Sequence, residues 1–493
     1  NEILAQPAWG QDASALILCI EDSCAAGAEP AYLAFAPWET SPWPVTLQIC
    51  RTLEETFLAH ECLARPAGTS ITVAFTSLID LEAYVEFGAG GLGSATPWVL
   101  APGGESCHLR VEGLEPGAEY DYRLRYRRAG SDEPFAAGEI RRFRTQPAPG
   151  TAFIFTTQAD SHISESWIQG ALEQDRLELY EVALENVSQD EPDFHISLGD
   201  FSLSGTARNL IECWGQYEVQ HRYLDRVLHS VPFFLVLGNH EGELRWLYEQ
   251  GDSMAVWSEI VRRQLFPNPY PDGFYAGCDD PAVSGSGYRE SYYAWEWGDA
   301  LLVALDPYWY TFEAPFHHPE PSEGGGWCWS LGQEQYEWLH DVLSASERTW
   351  KIVMIHNLTG GIVGTGNDAY GRGGVETVDH AVCGRPSFEW GGQDESGADV
   401  FTELRPGWTH GPVHDLLRDA GVRLVLHGHD HLFALQEYEG VVYLLCPQPA
   451  DASYGYGAMD PGQYAHGHLL PNAGHLRFQV SPEPLDIDYF RAY

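Results

Sequence analysis

The spacing of apolar side chains along this chain changes character, and the change divides it into two architectures. From about residue 66 to 146, short runs alternate apolar and polar positions, as in Ser70-Ile71-Thr72-Val73-Ala74-Phe75-Thr76, Ala83-Tyr84-Val85-Glu86-Phe87 and Tyr122-Arg123-Leu124-Arg125-Tyr126. Alternation at period two predicts strands with one buried face. Gly/Pro turns between them, such as Gly113-Leu114-Glu115-Pro116-Gly117, predict a β-sandwich. Gln146-Pro147-Ala148-Pro149-Gly150 reads as a linker. Over residues 151–493, wholly apolar runs of strand length alternate with amphipathic helical stretches, which predicts an α/β domain on a parallel or mixed sheet. Residues 1–65 hold only short apolar pieces and read as an N-terminal arm without chemistry.

Within the α/β part, the polar residues of interest sit where apolar runs stop. A predicted strand over 152–157 leads to Asp160-Ser161-His162, followed by a predicted helix over 165–187. A strand over 194–198 ends in Gly199-Asp200, and a helix over 210–229 leads to Phe233-Phe234-Leu235-Val236-Leu237 and then Gly238-Asn239-His240-Glu241. Runs 288–297 and 300–305 predict an antiparallel pair. A helix over 333–343 precedes a strand over 351–355 ending in His356-Asn357, and the run 422–426 ends in His427-Gly428-His429-Asp430-His431. Open α/β sheets hold ligands at the carboxyl ends of their strands, and a strand interior does not tolerate Asn, His and Glu in succession. Each residue singly also fits a helix cap, a satisfied core histidine or a turn. Jointly, Asp160, His162, Asp200, Asn239, His240, His356, His429 and His431 form a mixed oxygen and imidazole donor set. Such a set suits two first-row transition ions rather than calcium or a thiolate zinc site.

In this order, Asp-x-His, Gly-Asp, Gly-Asn-His-Glu, a lone His and Gly-His-x-His resemble the calcineurin-like metallophosphoesterase superfamily over about residues 151–446. Leu114-Glu115-Pro116-Gly117-Ala118-Glu119-Tyr120, closing with Phe143-Arg144-Thr145, resembles a fibronectin type III domain over residues 66–146. The combined layout is similar to purple acid phosphatases. Those enzymes place a metal-binding tyrosine three residues after the bridging aspartate, where this chain has Leu203, and typically lack a counterpart of His162. A colourless member of the wider superfamily is therefore expected, with the α/β/β/α fold. The resemblance implies that Asp160, His162 and His431 hold one metal (Fe, Mn or Zn), and that Asn239, His356 and His429 hold a second, with Asp200 bridging. It further implies hydrolysis of phosphate monoesters, or of diesters, by a hydroxide shared between cations about 3.5–4 Å apart. His240 would assist the leaving group and Glu241 would orient His240. The alternative is a surface or assembly protein that keeps the fold with vestigial catalysis.

Composition narrows partners and location. Asp plus Glu total 71 against 27 Lys plus Arg, a net charge of −44. A surface this acidic disfavours nucleic acid and anionic membranes. It suits a salty extracellular medium, or reflects an acidic proteome. Ten cysteines, even in number and without a Cys-x-x-Cys pair, favour disulfides and hence export, with buried free thiols the competing reading for some of the ten. Asn1 in place of a methionine suggests a processed terminus, and no apolar run reaches membrane-spanning length. The Gly-rich stretch between His356 and His429 is expected to open over the ligand end of the sheet, with Arg372 and Arg405 as candidate phosphate clamps. His317 and His318 are expected to be incidental rather than a third metal site.

Overall fold

The computed structural model describes residues 3–6, 16–20, 31–35, 56–163, 174–248, 253–315, 325–360, 371–384, 386–452, 464 and 466–493. His317, His318 and positions 361–370 of the Gly-rich stretch lie outside them. Of the N-terminal 55 residues, Ile3–Gln6, Leu16–Ile20 and Ala31–Phe35 are described as an antiparallel three-stranded sheet.

Alternation between 70 and 126 closes two antiparallel sheets on each other. Phe57–Ala64, Ser70–Ser77 and Ser106–Glu112 form one, while Leu81–Gly88 and Glu119–Arg128 lead the other. Val73, Val85, Val111, Tyr122 and Leu124 meet in the core between them. The sandwich begins at Phe57, inside the stretch assigned above to the arm. Phe57–Ala64 lacks strict alternation because both of its faces are covered. Phe57 and Leu63 enter the sandwich core, whereas Ala59 and Cys62, with Ala74, pack into the core beneath the helices of the second domain. Polar ties complete this docking: Tyr122 Oη donates to His229 O at 2.6 Å, and Arg65 reaches Glu290 Oε1 at 2.8 Å.

In the second domain five strands carry the candidate residues: β1 (Phe153–Gln158), β2 (Phe194–Ser197), β3 (Phe233–Leu235), β4 (Trp350–Met354) and β5 (Leu424–His427). One sheet runs β3, β2, β1 in parallel, then adds Gly474–Val480 and Leu485–Arg491 antiparallel. The other sets β4 beside β5 at its centre, flanked in parallel by Ala300–Ala304 and Val441–Leu445. Neighbouring residues on each strand go to opposite cores, as the pleat requires. Phe234, Leu302, Ile352, Met354 and Leu426 meet between the sheets, while Phe233, Leu235, Val303 and Val353 face outward. The outer layers are α1 (Gln174–Gln189), α2 (Leu210–Leu228), α3 (Met254–Leu265), α4 (Gln333–Ala345) and α5 (Val413–Asp419). The order of layers is α/β/β/α. Lys351, the one lysine of the chain, donates from Nζ to Leu343 O and Ala420 O at 2.7 and 2.9 Å, satisfying carbonyls at the ends of α4 and α5.

The expected disulfide framework does not form among the described cysteines. Cys62, Cys107, Cys213, Cys278, Cys328 and Cys446 are free thiols. Several have a hydroxyl neighbour of their own, Ser258 beside Cys213 and Thr157 beside Cys446, so they occupy separate sites in the core. The side chains of Cys19, Cys24, Cys50 and Cys383 lie outside the described residues. No described helix is long and apolar enough to cross a membrane.

The loop after β3 is anchored by a buried ionic network. Glu243 accepts from Arg262 of α3 and, at 3.1 Å, from Arg289, which also pairs with Glu259; all four are buried. Removing the shared carboxylate takes the paired charge from Arg262 and leaves Arg289 with Glu259 alone, in a medium that cannot solvate them. Glu243→Ala should therefore cost about 3–5 kcal/mol in urea unfolding, and a loss below about 1 kcal/mol would contradict this role.

Candidate metal centre

Five loops, each leaving the carboxyl end of a strand, converge on one pocket. Asp160 and His162 follow β1, Asp200 follows β2, Asn239 and His240 follow β3, His356 follows β4, and His429 and His431 follow β5. Ligating atoms of Asp160, His162 and His431 lie within 4.8 Å of one another. Those of Asp200, His356 and His429 form a second such group, and Asp200 also groups with His162 and His240. Asp200 is thus common to two of the three. His162 Nε2 and His431 Nε2 face each other at 2.9 Å, while His356 Nε2 stands 3.0 Å from Asp200 Oδ2 and 3.8 Å from Asp160 Oδ1.

Backbone geometry explains why these loops turn so sharply. Asp160, His162, Asp200, His429 and His431 all hold positive φ, at 58°, 50°, 50°, 76° and 55°. Each such residue costs about 1–3 kcal/mol, and strain of this kind collects where function over-determines the backbone. The loops are then cross-tied. Asp160 N donates to Gly199 O at 2.9 Å, Gly428 N to His356 O at 2.9 Å, and His429 N to Asp160 Oδ2 at 2.8 Å. Two motif glycines serve close approach: a Cβ on Gly238 would fall 2.3 Å from Asp200 Oδ1, and one on Gly428 would fall 2.9 Å from Asp160 Oδ2.

Glu241 has a different part from the one expected. It does not orient His240. Its buried carboxylate accepts from the peptide N–H groups of Asp200 (2.8 Å), Phe201 (3.0 Å), Ser202 (3.4 Å) and Gly238 (2.6 Å). It therefore staples the β2 and β3 loops together and fixes Asp200 from behind. His240 is placed instead by its own backbone, whose N–H donates to Asp200 Oδ1 at 2.7 Å. Burial, then the neighbouring Asp200 carboxylate, push the Glu241 carboxyl up to about 8, against the pull of the peptide donors.

The pocket is built for positive charge. Asp160 and Asp200 are fully buried, and an ionised carboxylate out of water needs a counter-charge. Burial alone would lower the His356 imidazole, but Asp200 and Asp160 outweigh it and lift it to about 10. Its Nδ1–H is spent on Leu198 O at 2.7 Å, which turns Nε2 towards the two carboxylates. Burial, reinforced by His431, holds His162 well below the ordinary histidine range; burial and Arg372 do the same for His429. Most tellingly, Asp160 Oδ1, Asn239 Oδ1 and His429 Nδ1 are buried without a hydrogen-bond partner. Leaving one such atom unmade costs about 1–3 kcal/mol, so several together, all able to donate lone pairs, fit cation ligation.

The two arginines part company. Arg372 NH1 donates to His429 O at 3.2 Å and to Asp430 Oδ1 at 2.9 Å, so it borders the cluster. Arg405 is committed elsewhere: its Nε pairs with Glu389 at 2.7 Å, its NH2 donates to Trp327 O, and the guanidinium lies between Trp327 and Trp408. It is a structural arginine of a neighbouring aromatic groove rather than a clamp on this centre. Tyr308 opens an aromatic tract, 308–329, whose sequence reads as lining the same cleft or packing on the front domain; it is buried beside His356 and donates to Asn357 Oδ1. Asp430, between the two histidines of Gly-His-x-His, is not among the expected site residues, though a carboxylate inside a ligand motif is a signal.

A family model described as Calcineurin-like phosphoesterase matches residues 157–433, over half of the chain. Among solved structures, PhoD is similar with a TM-score of 0.59 at 14% identity, covering 89% of this chain and 87% of its own. Purple acid phosphatase PPD1 from yellow lupin (Lupinus luteus) seeds is similar with a TM-score of 0.57 at 14% identity, covering 97% and 77% respectively. At such identity the likeness is one of fold. No curated protein matches the chain in sequence.

Because His356 is held protonated up to about 10, a cation entering the metal-free protein must displace that proton. Uptake of Zn or Mn should release protons, and affinity should climb as pH rises towards about 10. Calorimetric titration in buffers of different ionisation enthalpy reads the release; none at about pH 8 would contradict this charge state.

Proposed function

The chain belongs to the calcineurin-like phosphoesterase family, and we propose that it is a two-metal hydrolase of phosphate esters, monoesters foremost and diesters second. The observation that carries this reading is the gathering of unpartnered buried lone-pair atoms from Asp160, Asn239 and His429 beside the buried Asp200 and His356. Asp160, His162 and His431 would hold one cation, and Asn239, His356 and His429 the other, with Asp200 between them. Fe, Mn and Zn all suit these donors. Two cations held there supply an acidified water nucleophile and neutralise charge gained by the phosphoryl oxygens.

The chain's own groups do the rest. Glu241 holds the Asp200 loop in register, so the bridging position needs no rearrangement when substrate arrives. His240 is half-buried, with its ring edge-on to His162 at 4.9 Å. In this reading it stands outside both ligand sets and protonates the departing alkoxide oxygen. Arg372 offers positive charge at the rim. Placement outside the cytoplasm stays part of the proposal on the acidic surface alone, since the six described cysteines are free.

Turnover of p-nitrophenyl phosphate and of its bis-ester, with Mn, Zn or Fe supplied, tests the reading. Release from the monoester supports it, and no release from either ester with any metal would replace it by a binding or assembly role. Asp200→Asn should lower metal content and abolish release; retained activity would overturn the bridging assignment. His240→Ala should keep both metals and slow turnover about 10²–10⁴-fold, the usual worth of a positioned proton donor. Loss of a metal in that variant would move His240 into the ligand set.

A further inference from the structure

Between the two histidines of the Gly-His-x-His segment lies a carboxylate that the hydrolytic scheme leaves unused. Asp430 is buried at 1% exposure. Its Oδ1 accepts from Arg372 NH1 at 2.9 Å, and its Oδ2 accepts from Gly373 N and from Tyr464 Oη, each at 2.7 Å. Three segments distant in the chain are thereby joined behind the ligands. On the same side, Gly371 lies hard against the centre: a Cβ there would sit 2.9 Å from Asn357 Nδ2 and 3.7 Å from His429 Nε2. Gly371 N also donates to Gly360 O at 2.7 Å, which closes the base of the Gly-rich stretch. The next residue, Arg372, is consequently carried to the edge of the ligand cluster, with its side chain 20% exposed and NH1 also on His429 O.

We infer that Asp430 and Tyr464 are positioning residues that set Arg372 as a clamp for one terminal phosphoryl oxygen, and that this clamp biases the site towards monoesters. The inference rests on the hydrolase reading above and deepens it. A monoester dianion, like inorganic phosphate, presents three terminal oxygens and two charges, whereas a diester presents two oxygens and one charge. A guanidinium fixed at the rim adds a charge-assisted donor that the third terminal oxygen and second charge of the first class favour. Asp430 serves this geometry by fixing the fork, and its buried charge is compensated by the same arginine. Tyr464 gives Oδ2 a second donor beside Gly373 N and keeps the carboxylate from turning.

The test uses equilibrium binding to the metal-loaded full chain, with inorganic phosphate and dimethyl phosphate as probes, beside metal analysis and steady-state kinetics. Arg372→Ala should weaken phosphate about ten- to a hundredfold and change dimethyl phosphate by less than about threefold, the scale of one lost charge-assisted hydrogen bond. Both metals should remain. Asp430→Asn and Tyr464→Phe should shift phosphate affinity and monoester KM in the same direction by less, with diester KM unmoved. The inference is overturned if Arg372→Ala leaves phosphate affinity unchanged, or weakens both probes alike. It is equally overturned if Asp430→Asn sheds metal, which would make Asp430 a support for His429 and His431. Phosphate binding needs no turnover, so an inactive wild-type protein would sink the hydrolase reading while these affinities still judged the clamp.

Discussion

Two carboxylates, Asp160 and Asp200, are held without solvent in the same pocket, at the ends of adjacent parallel strands. Like charges in a medium of low polarisability repel strongly, and neither can be hydrated there. Every other feature of the pocket answers that constraint. His356 keeps a proton far above its ordinary range because it faces both aspartates. Donor atoms of Asn239 and His429 stay unpaired around them. Cations bound among these groups would satisfy them together.

Holding such a centre open requires rigidity nearby. Five candidate ligands sit in backbone conformations that side chains other than glycine rarely adopt, and strain of that kind persists only where surrounding structure over-determines it. The determination comes from three directions. Parallel strands β1, β2 and β3 set the spacing of their loops. Glu241 binds two of those loops through four peptide donors, and the network of Glu243, Arg262, Arg289 and Glu259 fixes the chain a few residues on. From the other sheet, His429 N reaches across to Asp160 Oδ2, so the two halves of the centre are joined directly.

Much of this was legible in the sequence for a physical reason. Strands covered on both faces must be apolar throughout, so the point where polar residues resume marks the strand end and the ligand-bearing loop together. Where a residue's role depends on partners far along the chain, the sequence was mute. Glu241 resembles a helper of its neighbour His240, yet serves residues some forty positions earlier. Arg405 resembles an anion clamp, yet its guanidinium is consumed by Glu389 and a tryptophan carbonyl. The strand Phe57–Ala64 hid because contact on both faces erased the alternation that betrays half-buried strands. An even number of cysteines suggested pairing, but parity says nothing of proximity, and the six described thiols lie apart.

The most direct measurement is an anomalous difference map from crystals of the protein loaded with Mn or Zn. Two peaks are predicted, one ringed by Asp160, His162 and His431, the other by Asn239, His356 and His429, with Asp200 touching both. A single peak, or density only at surface carboxylates, would contradict a dinuclear centre.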